Sequence, residues 1–523
     1  MLTATGIRTQ TLRENGRKLL RRDGRQVLLI ASGDRLFAIA NRCPHEGYPL
    51  SEGTLGPDCV LTCNWHNWKF DLANGEALVG RDPVRTYAIA DRDGEIFIDL
   101  ADPPAEAQRQ RALKGLDVAI LDTDLPRMAR EVARLEQAGF DAREALVHGF
   151  VLRNACLENG MTHAHAAAAD WLALAARAKR PEQRLSAMLE PLFHIGWDSM
   201  GASAFPYATR AVQWSPDHFL QALEAEDEPA AIARIRGAFA ENVSYAQLRP
   251  VLAQAALAHY ADFGHCAIYA FKTGQLIERL GDEMRETALL ALVRMLVRST
   301  REERVPEFRG YARALTEWER GGSAPANASD FIGHSIDAAL TRTLASSRRP
   351  TGELFDALLG AAAWNLAHFD TDIEFATGNP IADNISWLDF THALTFANAC
   401  RHLCAERPDL WPAALLQVAL FVGRNRKYVR REEDVSRWSV PDRRSFLEHE
   451  MTALYDHGVV EPIIACHRLK VLFALEDEQT CRPEAPWLDD MFAGVNRYLH
   501  APVKRHHSLR TAAQALDFVA REA

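Results

Sequence analysis

Over the first hundred residues the apolar positions come in short runs broken by turn-forming residues. Val27-Leu28-Leu29-Ile30 and Leu36-Phe37-Ala38-Ile39 flank Ser32-Gly33-Asp34, and Tyr87-Ala88-Ile89-Ala90 and Ile96-Phe97-Ile98 flank Asp93-Gly94. Asn74-Gly75 follows Trp68-Lys69-Phe70 in the same way. Such runs predict antiparallel strands closed by tight turns, hence a small sandwich or barrel over residues 1–102. The pattern stops at Ala101-Asp102-Pro103-Pro104, and the polar, Arg-rich stretch 103–124 predicts a linker. From 125 to 523 the apolar spacing changes to i, i+3, i+4 and i+7, as in Ala167–Ala178, Val251–Leu280, Glu283–Val297, Leu388–Cys404 and Ile463–Leu475. The expected fold class is α+β multidomain: a small antiparallel β domain followed by a large all-α domain.

A chain of 523 residues has room for two or more cores. A net charge of −10 argues against nucleic acid as a partner, because phosphate binding needs a basic face. No stretch approaches the ~20 apolar residues of a membrane span. The start, Met1-Leu2-Thr3-Ala4-Thr5-Gly6, lacks the basic-then-apolar pattern of a secretion signal, so the expected location is cytoplasmic. In that reducing compartment closely spaced members of the nine cysteines are metal ligands rather than disulfides. Only eight of the 60 basic residues are lysine, which with the Ala-rich background points to a GC-rich bacterial genome. A lysine inside an apolar segment then stands out.

The strongest chemical signal is Cys43-Pro44-His45, a seventeen-residue gap, and Cys63-Asn64-Trp65-His66, each pair on a loop between expected strands. With Glu46-Gly47 and Asn67-Trp68-Lys69-Phe70-Asp71 beyond them, these residues resemble the Rieske [2Fe–2S] family over about residues 5–100. A zinc site is the alternative for Cys2His2, but zinc fingers pair Cys with Cys and His with His on a ββα unit. The resemblance implies that Cys43 and Cys63 hold one iron and His45 and His66 the other, which raises the potential above that of an all-Cys cluster. The loops lack the second cysteine pair of the respiratory members and are poor in hydroxyl donors. This implies a one-electron relay at the lower end of the Rieske range.

In the helical half, Glu158-Asn159-Gly160-Met161-Thr162-His163-Ala164-His165 does not have the histidine spacing of the usual Rieske oxygenase iron motif. Asp262-Phe263-Gly264-His265 and Asp389-Phe390-Thr391-His392 share D-F-x-H, then an aromatic residue and alanine, each inside a long apolar helical stretch. Together with His163, His165 and His467 they form a nitrogen-rich set from several helices, which suits non-haem iron. His368, beside Asp370 and Asp372, is a further candidate. Over about residues 140–475 the region is similar to the questin oxidase-like family, on Thr391-His392-Ala393-Leu394-Thr395-Phe396-Ala397 and on His163/His165 before Trp171-Leu172-Ala173-Leu174. That resemblance implies an all-helical non-haem-iron oxygenase of polyketide-type aromatic ketones, whose iron is bound by several His and a carbamylated Lys. It matches His165, His265, His392 and His467 to the imidazoles and leaves the lysine open between Lys272 and Lys427.

The expected activity is oxidoreductase. A Rieske cluster passes electrons to His-ligated iron, O2 is activated, and a small organic substrate is oxidised, aromatic or polyketide-type. Trp171, Trp197, Phe205 and Tyr207 are candidate pocket residues. No G-x-G-x-x-G or Walker motif is present, so an external reductase or ferredoxin is the expected partner. Two alternatives remain: a ferritin-like diiron oxygenase built on Asp262/His265 and Asp389/His392, and a non-enzymatic redox-sensing or electron-carrier protein with a helical scaffold.

Overall fold

The computed structural model describes residues 2–259, 261–504 and 506–522, without side chains at 261–263. The chain divides into two compact units, Met1–Arg111 and Ala112–Ala523.

The first unit holds ten strands in three antiparallel sheets. β2 (Arg17–Arg22), β3 (Arg25–Ser32) and β4 (Arg35–Ala40) form one, in that order. β5 (Thr54–Leu55), β6 (Val60–Thr62), β7 (Lys69–Asp71) and β8 (Ala77–Val79) form a second. In the third, β10 (Glu95–Ile98) lies between β1 (Thr3–Arg8) and β9 (Ile89–Arg92). Asp23-Gly24 and Asp93-Gly94 take φ values of 50° and 72°, and 51° and 80°, as the primed two-residue turns require. The run Val27–Ile30 is apolar throughout because both its faces are covered. Leu28 and Ile30 join a core with Cys43, Cys63 and Phe70, whereas Val27 and Leu29 join another with Leu12, Ile96 and Ile98. Strand β2 and the short helix α1 (Thr9–Asn15) have no counterpart in the sequence reading. Arg17–Arg22 is basic at both ends and half-buried at Leu19 and Leu20 only, so its apolar signal is weak.

The stretch 103–124 is not the expected linker. Helix α2 (Ala105–Leu121) occupies most of it, and its Ala112, Leu116, Ala119 and Ile120 enter the helical core. Its first two turns are alanine and polar residues only, and its four buried positions all follow them, which hid the periodicity. Downstream the described residues are helical, joined by turns and short 3-10 segments. Four helices position the candidate chemistry: α3 (His163–Arg177), α4 (Ala261–Leu280), α5 (Trp387–Glu406) and α6 (Pro462–Cys481). They form a closed ring in which α3 packs on α4, α4 on α5, α5 on α6 and α6 on α3. No helix of the described residues is long and apolar enough to cross a membrane.

One core position bears on stability. Glu302 is 1% exposed, one carboxylate oxygen has no hydrogen-bond partner, and burial pushes its carboxyl up to about 8 from 4.5. Between those values the folded chain binds a proton that the unfolded chain has released. Stability from this group is therefore complete below 4.5 and is lost as pH rises towards 8. Glu302→Gln should accordingly stabilise the helical unit by about 3 kcal/mol at pH 7. Calorimetric melting should show the gain at pH 7 and its disappearance near pH 4.5.

Candidate metal centres

The two ligand loops of the first unit are built alike. In one, the Cys43 N–H donates to the Tyr48 carbonyl (2.8 Å) and the Gly47 N–H to the Cys43 carbonyl (2.8 Å). In the other, the Cys63 N–H donates to the Trp68 carbonyl (2.7 Å) and the Asn67 N–H to the Cys63 carbonyl (2.9 Å). Each turn closes on a left-handed residue, Gly47 at φ 81° and Asn67 at φ 59°. The folded loops bring together all four residues of the motif. Cys43 and Cys63 are buried free thiols, and burial pushes the Cys43 thiol up to about 11, helped by its neighbour Cys63. His45 and His66 turn Nδ1 towards Nδ1 at 3.2 Å, with their rings edge to face. Trp68 stacks on His45 at 4.7 Å and Tyr48 on Trp65 at 4.0 Å, giving the loops an aromatic rim. Two paired sulfurs and two converging nitrogens suit a cluster with one thiolate-held and one imidazole-held iron.

The helical unit gathers a second set. His163, His265, His392 and His467, one from each helix of the ring, place a nitrogen apiece within 4.8 Å of one another. His392 donates its Nδ1–H to the Leu388 carbonyl and His467 its Nδ1–H to the Ile463 carbonyl, both at 2.6 Å. These bonds to the residue one turn back fix the tautomer, so Nε2 of each ring is a lone pair. Those two lone pairs face each other at 3.3 Å, and Nε2 of His265 lies 2.8 Å from that of His392. Nε2 of His163 is buried without any hydrogen-bond partner. A charged imidazolium is disfavoured, because burial first and then mutual repulsion hold His163 and His265 well below the ordinary imidazole range. His392 is lowered to about 3, by burial and by Lys470. Converging, unprotonated, partly unsatisfied nitrogens are what a borderline-soft cation needs, and the four-His group fits non-haem iron.

His165 stands apart from this group. It follows His163 by two positions, about 200° around the helix, and cannot face the same centre. Its Nδ1 instead accepts the Thr162 N–H (3.4 Å), completing the cap that starts α3, and its ring packs on Phe150 at 4.7 Å. Of the two expected ligands in this segment, His163 joins the group and His165, which the resemblance implies, does not. His368 also lies elsewhere, stacked on Trp364 at 3.9 Å. Of the aromatic candidates, Trp171 is buried beside His457, Trp197 is exposed against Phe193, Phe205 is half-buried in a loop, and Tyr207 lies under the Arg294 guanidinium. The ring that flanks the histidines is Tyr269, 5.1 Å from His265 and 5.7 Å from His163.

Neither expected lysine reaches the group. Lys272 ends in a buried ion pair with Asp170 (2.6 Å), and Lys427 is exposed. Lys470, one turn beyond His467, is the lysine whose charge is felt by all four histidines. It is 1% exposed, its Nζ lies 5.9 Å from the Tyr269 ring, and it has no hydrogen-bond partner. Burial lowers its ammonium from the ordinary lysine range. The sequence carried a signal for it, an i+3 lysine in an apolar segment of a lysine-poor chain.

The paired-carboxylate alternative fares less well. Asp389 accepts the Ser386 N–H (2.9 Å) as a helix cap and pairs with Arg424 (2.9 Å), while Asp262 lies outside the described side chains. Among the described residues no carboxylate joins the four-His group.

The paired Cys and His loops on a small β unit define a Rieske iron–sulfur protein. The chain belongs to that family: the family model for the Rieske [2Fe-2S] domain matches residues 6–88. Its relatives include the ferredoxin subunit of 3-phenylpropionate/cinnamic acid dioxygenase from Escherichia coli K12, 38% identical over 76 residues, which are 14% of this chain and 72% of that one. The methanesulfonate monooxygenase ferredoxin subunit of Methylosulfonomonas methylovora is 33% identical over 89 residues, 17% of this chain and 72% of the relative. Among solved structures, the ferredoxin of carbazole 1,9a-dioxygenase from Nocardioides aromaticivorans IC177 aligns over 19% of this chain and 96% of its own, at 26% identity and a TM-score of 0.18. The first unit is therefore an electron-transfer domain of the kind found in oxygenase systems, with a [2Fe–2S] cluster as its cofactor.

Proposed function

We propose that this chain is an iron-dependent oxygenase in which the Rieske unit relays single electrons to an iron in the helical unit. Cys43, His45, Cys63 and His66 are the cluster ligands in this reading, and His163, His265, His392 and His467 are the ligands of the helical iron. Lys470, as its carbamate, is a fifth ligand: the likeness to the questin oxidase-like family implies a carbamylated lysine without placing it, and Lys470 is the buried lysine without a hydrogen-bond partner beside Tyr269. The carrying observation is the convergence of four buried imidazoles, three with Nε2 atoms 2.8–3.3 Å apart in sequence and the fourth, His163, with an Nε2 that has no hydrogen-bond partner. Iron bound there supplies one-electron chemistry for the activation of dioxygen towards a small organic substrate, aromatic or polyketide-type. The chain's own residues do the rest. The Leu388 and Ile463 carbonyls hold His392 and His467 in the ligating tautomer, and both rings are buried away from solvent. Electrons enter from an external reductase or ferredoxin. A bare electron carrier would have no use for the second set of histidines, and a diiron centre would need carboxylates beside it.

Metal analysis tests the reading. A preparation with an intact cluster should contain about three irons per chain, two of them in the cluster. Two irons per chain would remove the helical centre, and four would restore the dinuclear alternative.

A further inference from the structure

The cluster loops contain a charge that the ligand set does not account for. His45 and His66 present Nδ1 to each other, and the Nε2 of each lies near Glu46. Its Oε1 lies 3.9 Å from His45 Nε2 and its Oε2 3.7 Å from His66 Nε2. One carboxylate thus spans the Nε2 atoms of both imidazoles. These distances are too long for hydrogen bonds, so the coupling is through-space charge. The backbone holds it there: Glu46 precedes Gly47, whose left-handed φ of 81° closes the Cys43 turn.

We infer that Glu46 is a tuning residue that lowers the reduction potential of the cluster. Reduction adds one electron and makes the cluster one unit more negative. A carboxylate at the edge of both imidazoles on one iron opposes that change and favours the oxidised form. A lower potential makes the relay a stronger donor to whatever it serves. The inference concerns the first unit and holds whether or not the helical unit carries iron. Because the Glu46 side chain is 51% exposed, salt screens the effect.

The test is an EPR-monitored redox titration of the full-length protein and its Glu46 variants. At low ionic strength Glu46→Gln should shift the oxidised-to-reduced ratio at fixed potential about tenfold, ~59 mV upward for a one-electron couple. Glu46→Lys should move the midpoint further the same way, Glu46→Asp should stay near wild type, and high salt should shrink the differences. Unchanged cluster absorbance confirms that each protein is loaded. If the glutamine variant lost its cluster, the lysine and aspartate variants would carry the comparison. Midpoints that ignore the charge at position 46, or that move equally in the aspartate and lysine variants, would overturn the inference. Neither result bears on the helical iron.

Discussion

Replacing His265 and His392 together by alanine should strip the helical unit of its iron and leave the first unit as it was. Iron content should fall from about three per chain to about two, with the visible absorbance and reduced-state EPR signal of the cluster intact. The choice of pair follows from the geometry. Nε2 of His392 lies within 3.3 Å of the ring nitrogens of both His265 and His467, so it is central to the set. Losing two of four imidazoles leaves only His163 and His467, with Lys470, to hold a cation. Substrate oxidation should be abolished, while the cluster still accepts electrons from a chemical reductant. The variant should fold, because the helical core is large and the four helices pack on one another along their length. Relief of crowded lone pairs should offset part of the cavity cost, so apo-protein melting should change little. Retention of all three irons would refute the assignment outright, since no other described group of four imidazoles is available to hold the third.

How much of this was legible in the sequence depends on how local each signal was. Cys43, His45, Cys63 and His66 could be read directly, because two short loops with fixed spacing must close on one end of a small β unit. His265 and His392 were legible as a repeated D-F-x-H, although the shared aspartate proves to have nothing to do with metal at Asp389, where it caps a helix and pairs with Arg424. Choosing between His163 and His165 needed the angle between them, which helical geometry supplies, and also the knowledge of which one starts the helix. The start was obscured because Thr162 is capped by His165 itself rather than by a carboxylate. That the four histidines share one centre was not legible at all. It depends on which of many apolar helices become neighbours, and more than a hundred residues separate His163 from His265 and His265 from His392. The helix Ala105–Leu121 was missed for a different reason. Only Ala112, Leu116, Ala119 and Ile120 are buried, all after its first two turns, and the polar, Arg-containing start makes the segment look like a connection.

Lys470→Ala should cost the helical unit its iron almost as completely as the double histidine change, through a different route. A lysine ammonium buried without a hydrogen-bond partner is expensive, and burial lowers this one from its usual range. Its neutral amine can instead add to carbon dioxide, forming an N–C bond and releasing one proton. The product is a carbamate, which removes the buried ammonium and carries two oxygens able to bind a cation. It would also bring negative charge to a site of four neutral imidazoles, matching a divalent cation better than nitrogen alone. Two further outcomes follow from that chemistry. Acetate or propionate should restore iron to Lys470→Ala by occupying the vacated space with a carboxylate, whereas Lys470→Arg, which cannot form a carbamate, should stay empty under the same conditions. Preparing wild type with iron in a carbon-dioxide-depleted buffer should lower its iron content, and bicarbonate should return it. Full iron in Lys470→Ala without any added acid would mean that the lysine only packs beneath Tyr269, and that the centre consists of imidazoles alone.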